Sequence, residues 1–192
     1  MTPRGPYSKG IAKRAEILDA ALTTIAEHGY SGATVKELAE AVGLSQNGLL
    51  HYFGSKDALF AAIVKHRDER DSSVYDGIPP GEDFGASVGD FIHHNAQVPG
   101  LVQLYARLSN EATEPEHTAH EFFRDRCSVI RERSATLFQE LIDAGKIRAD
   151  LDPDALAVIL TALNDGLQTQ WMYDPDLEMP HYVQVFLDLL RS

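Results

Sequence analysis

"TVKELAEAVGLSQNGLLHYFGSK", Thr34 to Lys56, decides how this chain is read. Thr34 and Glu37 stand three residues apart, the spacing of a capping box. In it the Thr34 hydroxyl accepts the Glu37 N–H and the Glu37 carboxylate reaches back. The helix so opened carries Val35, Leu38, Ala39 and Val42 and stops at Gly43. Ser45 then caps a second short helix to about Tyr52, and Ser55 caps the next, with Asp57 in its first turn. Two short helices around a glycine turn predict a helix-turn-helix, which sets its second helix across the first so that it can enter a DNA major groove.

The second helix has the polarity for that task. Gln46 and Asn47 are amides of the kind that pair bidentately with adenine, and Ser45 is a cap or a contact. Gly48 costs about 1 kcal/mol of helix propensity relative to Ala, but it removes bulk where a backbone approaches DNA. Leu49 and Phe53 are expected to turn inward and hold the helix down. At the exit, His51, Tyr52 and Lys56 suit phosphate oxygens. Taken singly, His51 and Lys56 read as solvated side chains. Tyr52 reads equally as a core aromatic with its hydroxyl at the surface.

Upstream, apolar residues at Ile11, Ala15, Leu18, Leu22 and Ile25 predict a helix over 8–28, ended by Gly29. The first fourteen residues hold Arg4, Lys9, Lys13 and Arg14 and no acid. This is either a solvated tail or an arm that meets a polyanion. The net charge of −12 is distributed unevenly. Residues 1–70 carry nine bases against eight acids, whereas residues 71–192 carry eight against twenty-one. An acidic remainder repels a polyanion and so orients the approach of the first seventy residues.

Downstream, "DSSVYDGIPPGEDFG" after Arg70 marks a boundary. Further helices are predicted over 83–97, 99–111 and 116–144. The next starts from Asp152 and Pro153 and reaches Trp171 or Met172, and a last one covers 180–190. No stretch reads as a strand, so the expected fold is all-α with about nine helices. The expected division is a DNA-binding domain, 1–54, and a second domain, 55–192, with helix 55–70 connecting the two. At 192 residues and 44% hydrophobic, the chain can bury a substantial core. Its single cysteine, Cys127, excludes an intramolecular disulfide and a multi-cysteine zinc site, and fits a reducing cytoplasm. No signal peptide and no membrane span are expected. Nucleophile elbow, glycine-rich phosphate loop and HExxH are all missing from the sequence, so no enzyme activity, catalytic residue or cofactor is expected.

The stretch Arg14 to Val64, "RAEILDAALTTIAEHGYSGATVKELAEAVGLSQNGLLHYFGSKDALFAAIV", resembles the DNA-binding domain of the tetracycline-repressor (TetR) family. The carrying features are "ILDAAL…AEHGY", "TVKELAEAVGLS", "HYF" and "SKDALF", in order and at the family's spacing. The resemblance implies that Thr34, Ser45, Gln46, Asn47, His51, Tyr52 and Lys56 touch DNA, with Arg4 and Lys9 of the basic arm adding contacts. The chain departs from the family pattern at Asn47, usually Gly, at Gly48, usually Thr or Ser, and at Leu50, usually a phosphate-contacting Tyr. The operator sequence therefore cannot be borrowed.

The resemblance also implies a helical C-terminal domain that binds a small, largely apolar effector and dimerises through its last two helices. The whole would then be a repressor released from a palindromic operator in double-stranded DNA. Leu156, Ile159 and Leu163 form a stripe, Ala162 and Gly166 are small enough for close helix approach, and Val183, Phe186 and Leu190 face them from the last helix. These are the expected homodimer residues, unless the stripes serve only the monomer core. Candidate pocket residues are Phe84, Phe91, Leu104, Tyr105, Leu108, Phe122, Phe123, Cys127, Trp171 and Met172, with His94, Asn164 and Gln168 as polar groups. An aromatic stripe is also what plain core looks like. Two other readings stay open. One is a helical enzyme or metal protein using His117, His120 and Glu121, with His93 and His94 nearby in sequence. The other is a regulator without a small ligand.

Overall fold

The computed structural model describes residues 6–75 and 98–191. Their regular structure is helical: α1 Pro6–Gly32, α2 Val35–Ala41, α3 Gln46–His51, α4 Lys56–Tyr75, α5 Pro99–Glu111, α6 His120–Asp143, α7 Pro153–Tyr173 and α8 Met179–Leu189. Among the described residues there is no strand, and a lone antiparallel bridge pairs Ile147 with Arg191. The fold is all-α, as the sequence predicts. The helix expected over 83–97 lies outside the described residues, as do Arg4, Phe84, Phe91, His93 and His94.

Each boundary has a local cause. α1 breaks at Gly29, whose φ of 71° and ψ of 174° leave the helical region, and one further turn carries it to Gly32. Thr34 and Glu37 form the capping box of α2 in full. α2 ends in a Schellman turn, with Leu44 N–H donating to Ala39 O at 2.8 Å and Gly43 N–H to Glu40 O at 3.1 Å. Gly43 takes φ 68° there, a left-handed conformation that glycine adopts without the Cβ penalty. Asp152 caps α7 through its carboxylate, and Pro153 fills the first helical position.

One boundary differs from expectation. α4 continues through Asp71 to Tyr75 instead of ending near Arg70. The Arg67–Asp71 pair, 3.3 Å apart at i,i+4 and largely sheltered from solvent, supports the added turn. The Asp/Gly/Pro bias of the following sequence had masked it.

The chain forms two compact units. The first holds α1 to α4, as far as Val74, together with α5 and the turns up to Ala119. Its core is Ile17, Ala21 and Ile25 of α1, Leu38 of α2, Leu49 of α3, Leu59 and Ile63 of α4, and Val102 and Leu104 of α5, all buried. Each Leu, Ile or Val among them contributes about 1.5–3 kcal/mol on burial. α1 packs on both α2 and α5. Asp19 of α1 accepts from His66 Nε2 at 2.8 Å and from Arg70 Nη1 at 3.4 Å, tying α1 to α4. The chain-order division at residue 54 does not follow this packing, since α5 sits with the N-terminal helices.

The second unit contains α6, α7 and α8. Phe138, Leu141, Leu156, Leu160, Leu167, Val183 and Leu187 make its core. Ile147 and Leu190 close one end of that core, where Arg148 N–H donates to Leu190 O at 3.0 Å.

Candidate nucleic-acid interface

The polar tip predicted from sequence is built as a tip. Ser45 is the N-cap of α3, its Oγ accepting the Gly48 N–H at 3.0 Å, so its hydroxyl proton is left to donate elsewhere. Ser45, Gln46 and Asn47 are all exposed at the start of the helix. Opposite them Leu49 is fully buried and Phe53 nearly so, and these two residues hold α3 to the unit. A Cβ on Gly48 would stand 3.2 Å from Ser45 Oγ, so glycine leaves room for the cap.

The exit of α3 is equally local. His51 is exposed, and Tyr52 is the half-buried C-cap residue, its ring 6.4 Å from that of His51. Ser55 Oγ accepts the Ala58 N–H at 3.0 Å and so caps α4. Lys56, the first residue of α4, is exposed with its ammonium 5.6 Å from the Phe60 ring centroid. Lys9 is exposed on the opening turns of α1.

Thr34 is exposed at the N-cap of α2, but its groups are engaged. Its hydroxyl donates to Glu37 Oε2 at 2.7 Å and accepts the Glu37 N–H at 3.3 Å, while its own N–H donates to the same carboxylate at 2.8 Å. These donations, the backbone one foremost, hold the Glu37 carboxyl below its ordinary value of 4.5. Thr34→Ala is expected to cost about 1 kcal/mol of stability near neutral pH. A carboxyl lowered by folding contributes fully above its unfolded value, and the contribution is lost as pH falls through the folded one. The variant keeps the backbone N–H at position 34 and loses only the hydroxyl's bonds, so the wild-type advantage in urea denaturation should shrink in part below pH 4.5. An advantage constant across that range would contradict this account of the cap.

The remaining candidates are distributed over both units. Leu104 and Leu108 are buried in the first unit, and Tyr105 lies beside them on α5. In the second, Phe123 is buried, Phe122 and Cys127 are half-buried on α6, and Asn164, Gln168, Trp171 and Met172 are half-buried along α7. Of the predicted dimer residues, Leu156, Val183 and Leu190 are buried in the unit's own core. Ile159 and Ala162 are exposed, and Leu163, Gly166 and Phe186 are half-buried. Of these, Ile159, Leu163 and Phe186 join Tyr182, Val185 and Leu189 around an open apolar hollow of about 410 Å³ between α7 and α8, which Ala162 and Gly166 do not line. His117 Nδ1 accepts the Ala119 N–H at 3.1 Å while its Nε2 stands 3.7 Å from Asp57. Glu121 lies 3.9 Å from Arg124. Among the described residues no group of three His, Cys, Asp or Glu side chains could hold a metal ion, and no helix is long and apolar enough to cross a membrane.

Residues 17–63 match the family model for bacterial regulatory proteins of the tetR family. Residues 92–192 match that for the C-terminal part of BetI-type transcriptional repressors. The chain is 30% identical over 159 residues to the HTH-type transcriptional repressor AcnR of Corynebacterium efficiens, which spans 82% of this chain and 81% of the relative. The chain belongs to the TetR family. A second relative, the HTH-type transcriptional repressor Rv1474c of Mycobacterium tuberculosis, is 26% identical over 94% of this chain and 92% of its own length. A solved TetR-family regulator from Agrobacterium tumefaciens shares the fold, with a TM-score of 0.72 at 18% identity, covering 95% of this chain and all of the other. TetR-family proteins are DNA-binding transcriptional regulators, not enzymes, and α2–α3 is the helix-turn-helix of this one.

Sequence reasoning missed two residues at this interface. Arg14 Nη1 donates to Tyr52 O at 2.6 Å, with its guanidinium 4.3 Å from the centroid of the Phe53 ring. Lys13 Nζ reaches Val42 O at 3.4 Å and Glu16 Oε1 at 2.7 Å. In the sequence both read only as part of a basic N-terminal run. The signal that could have found them was their place on α1, one turn before the buried Ile17 and Leu18.

Proposed function

We propose that this chain is a cytoplasmic, homodimeric repressor that binds a palindromic operator in double-stranded DNA and leaves it when a small, largely apolar effector binds the C-terminal half. The observation that carries the reading is the exposed Ser45–Gln46–Asn47 tip on a helix anchored from behind by Leu49 and Phe53. Ser45, Gln46 and Asn47 read base edges, while His51, Tyr52, Lys56 and the basic arm with Arg4 and Lys9 meet phosphates. Thr34 serves mainly as the cap of α2, because its N–H and O–H already donate to Glu37.

The exposed apolar hollow on α7 and α8 supports dimerisation through Ile159, Leu163 and Phe186, with the small Ala162 and Gly166 of α7 allowing close approach. An apolar face at a helix pair is what a twofold four-helix contact buries. Two copies of α3 would then enter successive major grooves about 34 Å apart. Half-buried Cys127, Asn164, Gln168, Trp171 and Met172 supply apolar and amide surface suited to an effector. Effector binding would favour a spacing of the two reading helices that no longer fits the operator. Functionally this keeps residues 1–54 as the DNA-binding part and 55–192 as the effector and dimerisation part. Selection of duplexes from a randomised pool by the purified protein tests the reading. Enrichment of one motif with twofold symmetry is expected, and no enrichment at moderate salt would sink it.

A further inference from the structure

We propose that Arg14 is a positioning residue for DNA recognition: it fixes the C-terminal end of α3 from α1 and so sets where the polar tip points. The inference rests on the reading of α3 as the helix that meets DNA. α3 is six residues, about 9 Å of helix at 1.5 Å per residue. Its one fully buried side chain is Leu49, near its middle. Leu49, with Phe53 just past the helix end, forms one apolar seat that resists lifting but carries no directional bond, and a rotation of α3 on that seat displaces Gln46 and Asn47 sideways. A second, directional fixed point on the backbone at the far end removes that freedom.

Arg14 provides the second point. The Tyr52 carbonyl lies past the last turn of α3, where carbonyls lack a partner within the helix and the dipole is negative. Arg14 Nη1 donates to it at 2.6 Å. The guanidinium also lies over the Phe53 ring at 4.3 Å, and the buried Phe53 fixes the plane of the fork. The mount itself is stiff, because Ile17 and Leu18 on the following turn are buried. Lys13 makes a longer contact of the same kind to the end of α2, at Val42 O. Adjacent bases on α1 therefore hold the C-termini of both helices of the helix-turn-helix. Arg14 is exposed, and a sequence count assigns it to the polyanion-facing arm. Its geometry assigns it to the protein.

Fluorescence anisotropy with two duplexes tests this: one enriched by the wild-type protein from a randomised pool, the other of unrelated sequence and equal length. Arg14→Gln is expected to lower discrimination between them by about 10–100-fold, with affinity for the unrelated duplex changed less than about 3-fold and the slope of log K against log[salt] unchanged. Arg14→Lys keeps a donor and the charge but cannot lie flat on Phe53, so its loss should be about 3–5-fold. If Arg14→Gln does not fold, that smaller loss at an unchanged slope carries the proposal, and wild-type discrimination by Arg14→Lys overturns it. Equal weakening on both duplexes with the slope reduced by about 1 per half-site would make Arg14 a phosphate contact and overturn the proposal. So would a lowered melting temperature with discrimination unchanged. A wild-type protein that enriches no duplex overturns the DNA reading together with this one, whereas wild-type enrichment with a wild-type-like Arg14→Gln overturns this one alone.

Discussion

Ile159→Asp is expected to yield a folded monomer whose operator affinity has fallen by about 10²–10⁴-fold, the avidity gained by linking two half-site readers. Ile159 lies on α7 with 49% of its surface exposed, and the unit's core of Phe138, Leu156, Leu160 and Val183 does not include it. Its loss should therefore cost the monomer little. On the same face Leu189 is 72% exposed and Val185 43%, an apolar excess that water does not favour. Twofold symmetry places any substitution in the interface twice, so two carboxylates would be desolvated near the axis. Sedimentation velocity should show the shift from dimer to monomer, and circular dichroism should show unchanged helix content. A variant that sediments as the wild type would place the dimer contact elsewhere.

Gly100→Val is expected to disrupt the first unit. A Cβ at Gly100 would stand 2.7 Å from Ile25 O and 2.9 Å from Tyr30 N, and both are backbone atoms that cannot rotate away. The first turn of α5 therefore lies against the end of α1 at a separation only glycine allows. Overpacking of this kind costs about 1–3 kcal/mol, and a branched side chain belongs at the upper end. In a unit of this size each kcal/mol lowers the melting temperature by about 4–8 °C. Thermal unfolding should show a drop of that order, with α5 loosened from α1 in hydrogen exchange. Gly10→Ala is the control, because a Cβ there meets nothing within 4 Å and alanine favours the helix. A Gly100→Val protein as stable as wild type would show that α5 does not seat on α1 this closely.

Local chemistry was legible in the sequence and tertiary choice was not. The capping box at Thr34–Glu37, the glycine turn at Gly43 and the Asp152–Pro153 start of α7 depend on residues within four positions of each other, and each appears where its pattern put it. The start of α5 follows from Pro99 at its first turn. Its seat on α1 depends on the missing side chain of Gly100 meeting a backbone 75 residues earlier, which no period records. A helical period groups Leu156, Ile159 and Leu163 in one stripe. Leu156 belongs to the monomer core and Ile159 to solvent, because α7 buries one flank of the stripe and exposes the other. Charge counting had the same limit at Lys13 and Arg14, since a formal charge carries no record of the carbonyl that it neutralises.

The central claim is that the exposed tip of α3 reads bases while the residues at its exit hold phosphates. Titration of Asn47→Ala and Lys56→Ala against the selected duplex, its single-base variants and an unrelated duplex, over a range of salt, tests it most directly. Asn47→Ala should lose about 1–3 kcal/mol of preference at one base position per half-site, with binding to unrelated DNA unchanged. Lys56→Ala should weaken binding to every duplex alike and lower the salt slope by about 1 per half-site. If both variants weaken all duplexes equally with the same change in slope, the tip does not read sequence and the account of α3 is contradicted.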